Sequence, residues 1–103
     1  MPRALSVARA RVEAESETEY LGLARHLASA LRSRGQHLWL FRHPSESGAF
    51  LEFREGDAAT HTLRAPTVEE SRLTAELRRV AAYDAGASDL WVEVSLAATH
   101  DQP

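Results

Sequence analysis

The chain has 103 residues, a formal net charge of −3 and 44% hydrophobic residues, which fits one domain with its own core. It contains no cysteine, so disulfides, thiolate metal sites and cysteine nucleophiles are excluded. It also lacks lysine, isoleucine and asparagine, and 12 arginines carry all the basic side-chain charge. The three missing residues share AT-rich codons, so a GC-rich genome explains the bias. The chemical consequence is that no lysine can form a Schiff base or serve a Walker-type phosphate loop. A pI near 5.9 and scattered arginines give no global attraction to nucleic acid. The opening Met1-Pro2-Arg3-Ala4-Leu5 lacks the apolar run of a signal peptide, and no stretch could span a bilayer. A cytoplasmic protein is therefore expected.

In chain order, residues 5–12 read as a first strand. A first helix is expected to open at Ser16, with Glu19 three residues on as a capping box, and to end at Gly35. Tyr20, Ala24, Leu27, Ala28 and Leu31 recur at helical spacing as its buried stripe. Residues 37–43 and 49–55 read as a hairpin around Pro44-Ser45-Glu46-Ser47-Gly48. Glu55-Gly56-Asp57 reads as another turn, leading to a short extra strand at Thr60–Arg64. A second helix repeats the grammar of the first. Thr67 and Glu70 form its capping box, Leu73, Leu77, Val80 and Ala81 its apolar stripe, and Gly86 its end. Residues 89–97 form the last strand, and 98–103 read as a frayed tail. Two strand–helix–strand units joined by a hairpin predict a ferredoxin-like βαββαβ sandwich, an α+β fold over residues 1–103 with an ordered core at about 3–97. Both helices then cover one face of an antiparallel sheet.

Such a fold leaves the other sheet face open, and side chains alternate along each strand. Leu38 and Leu40 inward send Trp39, Phe41 and His43 outward. Ala49, Leu51 and Phe53 inward would send Phe50, Glu52 and Arg54 outward. Leu90, Val92, Val94 and Leu96 inward would send Trp91 and Glu93 outward. The first strand reads either way, with Leu5, Val7, Arg9 and Arg11 on one parity and Ala4, Ser6, Ala8, Ala10 and Val12 on the other; small residues suit close packing under a helix, which would send Arg9 and Arg11 outward. An aromatic face of this kind marks a partner or a ligand. A homodimer interface and a ligand-bearing cavity are both open readings, and a dimer can enclose a cavity.

The small-residue first strand with its arginines, the acidic run Glu13 to Tyr20, the helix ending in Arg34-Gly35 and the hairpin Leu38 to Arg54 together resemble the dimeric α/β-barrel superfamily. The resemblance is to its antibiotic-biosynthesis-monooxygenase-like domains in particular. It implies that two subunits pack sheet against sheet, with pockets under the helices or at the sheet interface. It also implies a monooxygenase-like activity without a bound cofactor, on a small planar apolar molecule.

The histidines His26, His37, His43, His61 and His100 lack metal-site spacing, so no metal is expected. His43 and His61 are the candidate general bases, and the other three read as surface residues. Glu52 and Glu93 are candidates for an acid/base pair near Arg9, Arg11 or Arg54. Trp39 and Trp91 could stack on a substrate ring or anchor a dimer. No phosphate loop, nucleophile elbow or His-Glu-x-x-His motif is present. A non-catalytic homodimeric module, structural or ligand-sensing, stays open beside the enzyme. RNA recognition shares the strand order but lacks a basic face.

Overall fold

The computed structural model describes residues 2–57, 66–84 and 90–96. The elements in order are β1 (Arg3–Val12), a 3-10 turn (Ala14–Ser16), α1 (Glu17–Arg32), β2 (His37–Arg42), β3 (Ala49–Asp57), α2 (Val68–Val80), β4 (Ala81–Tyr83) and β5 (Leu90–Val92). The sheet order is β2-β3-β1-β4, with β5 also paired to β1, and every pairing is antiparallel. This is the expected ferredoxin-like α+β arrangement. The possible strand at Thr60–Arg64, His61 within it, Gly86 and the tail 98–103 lie outside the described residues.

The register decides which side chains share a face, because directly opposed residues of an antiparallel pair point the same way. Ala4 faces Gly56, Ser6 faces Arg54, Ala8 faces Glu52 and Ala10 faces Phe50. Across the other edge of β3, Leu38 faces Arg54, Leu40 faces Glu52 and Arg42 faces Phe50. These residues form the helix-covered face. Ala10, Val12 and Phe50 pack there with Tyr20, Ala24, Leu27 and Leu31 of α1 and Leu73 and Leu77 of α2.

The β1 and β2 expectations therefore hold, and the β3 expectation is reversed. Phe50, Glu52 and Arg54 point to the helices, while Ala49, Leu51 and Phe53 lie on the open face. The cause is complementarity of volume and polarity. Small side chains on β1 leave room for the Phe50 ring, which sits 5.1 Å from the Tyr20 ring. The polar groups that follow it on β3 find partners inside, so their burial is compensated.

The helix ends follow local chemistry. Thr67 Oγ1 accepts the Glu70 N–H at 3.1 Å, and Glu70 Oε1 accepts the Thr67 N–H at 3.3 Å, completing the expected capping box. Ser16 does not cap α1: it lies in the 3-10 turn and its side chain makes no capping bond. Gly35 follows α1 at φ 79°, the left-handed conformation expected of it. α2 stops at Val80, short of Gly86, because Ala81–Tyr83 pair with Val12, Arg11 and Ala10 of β1. Glu55-Gly56-Asp57 is no turn: the strand runs through it. A Cβ on Gly56 would stand 2.9 Å from Gln36 Cγ, so the glycine makes room for that buried side chain.

The last strand is shorter than expected. After β5, Glu93 donates its N–H to the Arg3 carbonyl at 2.8 Å, and Val94 and Leu96 are 76% and 89% exposed instead of inward. Among the described residues, no helix is long and apolar enough to cross a membrane.

Candidate functional site

The open sheet face keeps its aromatic side chains in solvent. Trp39, Phe41 and Trp91 are 48%, 54% and 61% exposed. The His37 ring stacks on Trp39 at 5.7 Å, and Phe41 meets Phe53 edge-on at 5.3 Å. Trp91 stands opposite Leu5 in the register. Charge surrounds this apolar centre: Arg3 pairs with Glu55, and Arg9 and Arg11 share the same side of β1. Glu93 Oε1 accepts the Arg3 backbone N–H at 3.2 Å. Glu52 is on the other face, so Glu52 and Glu93 do not form the expected pair.

At the β2–β3 turn a groove of about 260 Å³ opens, walled by Phe41, Phe50 and Leu51 and rimmed by Arg11, His43 and Glu46. His43 Nδ1 accepts the backbone N–H of Ser45 at 3.1 Å and of Glu46 at 2.9 Å. A nitrogen that accepts two amide hydrogens carries none itself, so the hydrogen of the neutral ring is on Nε2. The Glu46 carboxylate accepts Arg11 Nη1 at 3.0 Å, and this bond, with the Arg11 charge, holds its carboxyl below the usual range. Arg42 pairs with Glu17 at 2.5 Å, its guanidinium carbon 5.4 Å from the centre of the Phe50 ring. Among the described residues no cluster of His, Asp and Glu could hold a metal ion.

Inside the helix-covered face, Glu52 Oε2 accepts two phenols, Tyr20 at 2.6 Å and Tyr83 at 2.7 Å. Burial first, then the Glu52 carboxylate, push both phenols well above their ordinary acidity range, so both are fixed donors. The network ties α1 and β4 to the centre of β3. Further along, Arg54 Nε donates to Gln36 Oε1 at 3.3 Å, and Arg34 Nε lies 3.4 Å from Glu70 Oε2. Glu70, 1% exposed, is at once the capping partner of Thr67 and an ion-pair partner of Arg34.

The candidate residues thus divide. Arg9, Arg11, Trp39, Phe41, Trp91 and Glu93 share the open face or its rim, with His43 at its hairpin end. Phe50, Glu52 and Arg54 serve the interior. The sequence does not single out Tyr83, which the expected run of the second helix to Gly86 absorbs, nor the role of Tyr20, which reads only as core. A tyrosine in an otherwise apolar stripe was the available signal, since a buried phenol needs a partner.

No family model and no curated relative matches this sequence. Solved structures do. A crystal structure of an antibiotic biosynthesis monooxygenase matches with a TM-score of 0.67 at 19% identity, over 93% of this chain and 99% of that one. SnoaB, a cofactor-independent oxygenase from Streptomyces nogalater, matches with a TM-score of 0.69 at 12% identity, over 92% of this chain and 94% of its own. A conserved protein from Methanosarcina mazei Go1 matches with a TM-score of 0.72 at 12% identity, over 90% and 92%. The chain therefore has the fold of antibiotic-biosynthesis-monooxygenase-like proteins.

Proposed function

We infer that two copies of this chain pack open face to open face as a dimeric α/β barrel. The pair acts as a cofactor-independent, monooxygenase-like enzyme on a small planar apolar molecule. The observation that carries the reading is the uncovered face, where Trp39, Phe41 and Trp91 remain about half exposed on a sheet whose other side is closed. Aromatic and arginine side chains of this kind are the usual anchors of protein interfaces. The fold shared with SnoaB supports the reaction class. The groove beside His43 offers the apolar side chains of Phe41 and Leu51 to a ring.

One observation favours the second reading, a non-catalytic structural or ligand-sensing homodimer. His43 Nδ1 is occupied by two backbone amides and the ring acts as the cap of its turn, which removes that nitrogen as a base.

Two measurements on the full chain test this. Light scattering is expected to give about twice the chain mass of 11.4 kDa. A clean monomer would leave the aromatic face in water and sink the dimer. An oxygen electrode with planar hydroxyaromatic compounds, without added flavin, haem or metal, is expected to show protein-dependent uptake. A dimer that consumes no oxygen with any of them overturns the enzyme in favour of the non-catalytic module.

A further inference from the structure

A second cavity, of about 500 Å³, lies between the helix-covered face of the sheet and α2. Ser6 and Arg54, opposed in the β1–β3 register, line its sheet side with Gln36 beside them. Its helix side is one stripe of α2: Ser71, Thr74, Ala75 and Arg78, spaced i, i+3, i+4, i+7. The core contact of α2 uses another stripe, Leu73 and Leu77. The helix therefore presents a separate polar row to this cavity.

The chemistry of the lining has one sign. Both charged side chains lining it are arginines, and no carboxylate lines it among the described residues, in a chain where acids outnumber arginines 15 to 12. Arg54 is half-buried, and burial works against its charge, with the Glu70 carboxylate restoring part of the balance. Its hydrogen-bond partner among the described residues is neutral, Gln36 Oε1. That bond uses the accepting atom of the carboxamide, so the atom left over, Nε2, is a donor. Arg78 differs from its neighbours on α2. Arg72 pairs with Glu69, and Arg79 with Glu19 and Glu76, while Arg78 has no carboxylate within ion-pair distance among the described residues. Hydroxyls of Ser71 and Thr74 add donors.

We propose that this cleft binds a small organic anion, its carboxylate or phosphate group held by Arg54 and Arg78 and its body against Pro66 and Ala75. A planar guanidinium fork matches either oxyanion and gains most where water is partly excluded. The site shares no lining residue with the groove at the β2–β3 turn. It goes beyond the oxygenase reading and does not depend on it.

Calorimetric titration of the full chain with 1-naphthoate, phenyl phosphate and the neutral 1-naphthalenemethanol tests the proposal. At least one anion is expected to bind, more weakly as salt rises, and the neutral compound not to bind. Naphthoate alone assigns a carboxylate ligand, and phenyl phosphate alone a phosphate ester. Arg78→Gln is expected to weaken anion binding about tenfold or more without moving the melting temperature, and Arg54→Gln to weaken it further. Arg78 is exposed, so its variant remains decisive should Arg54→Gln fail to fold. Failure of both anions to bind, equal binding of the neutral compound, or unchanged affinity in the arginine variants overturns the proposal. None of these outcomes touches the light-scattering and oxygen-uptake results, so the two readings fail separately.

Discussion

The two faces of the sheet solve opposite problems with the same three strands. On the helix-covered face, β1 contributes Ala4, Ser6, Ala8 and Ala10, and β3 contributes Phe50, Glu52 and Arg54. Small residues on one strand admit large and polar ones on the next, and the acid among them, Glu52, has two internal partners. On the open face, β1 contributes arginines while β2 and β3 contribute Trp39, Phe41, Leu51 and Phe53. Its aromatic rings have contacts with each other and with water. Polarity alone therefore does not mark the outside of this protein. The interior is stabilised by a few buried polar networks, and the apolar surplus lies on the uncovered face.

The largest effect should come from breaking the interior network. Glu52→Leu leaves the buried Tyr20 phenol and the half-buried Tyr83 phenol without an acceptor and is expected to cost about 3 kcal/mol of stability. Urea unfolding checks this, and a cost near zero would mean the phenols find other partners. On the open face, Trp39→Glu should leave the melting of the fold almost unchanged but weaken self-association by about 2 kcal/mol or more, read by sedimentation. If unfolding and association both collapse in that variant, the two faces are not independent.

Alkaline pH sharpens the same contrast. Burial and the Glu52 carboxylate raise the pKa of Tyr20 and Tyr83 in the fold above the ordinary phenol value of 10.0. The stability they contribute is complete below that value. It falls as pH rises past it, because the unfolded chain then loses protons that the fold retains. The slope is at most about 1.4 kcal/mol per pH unit for each phenol. Stability measured from pH 9 to 11.5 should decline less steeply in Tyr83→Phe than in the parent chain. The smallest effect belongs to the rim of the open face. Arg3→Gln removes the pair with Glu55, in which the arginine side chain is 46% exposed, and should cost under about 1 kcal/mol in the same unfolding assay.

Much of the fold was legible because its signals are local. Thr67 with Glu70, Gly35 after α1 and the turn-rich Pro44–Gly48 each act over a few residues. The alternation on β2 was readable because one parity is plainly aliphatic, whereas β1 allowed either parity and only the small size of Ala4, Ser6, Ala8 and Ala10 favoured the one observed. β3 was not readable that way. Both of its parities carry a phenylalanine, and the choice depends on what Ala8, Ala10 and Tyr20 leave room for. Likewise, nothing in Val80-Ala81-Ala82-Tyr83 announces a helix turning directly into a strand; β1 dictates it by pairing. The candidate site suffered for the same reason. Glu52 and Arg54 were named from sequence but placed on the wrong side, and Tyr83, which gives Glu52 its meaning, comes from a distant element.

β2 ends the sheet order, so one row of its backbone groups meets no strand among the described residues. Packing two sheets face to face would leave that row uncovered, and a bare strand edge is a template on which further chains can add without limit. The segment is protected by being short, His37 to Arg42, and by closing on an arginine held to Glu17 of α1. In the proposed pair, such an edge would favour closure over growth into an open filament, and the safeguard is a few residues at the margin of the molecule rather than anything in its core.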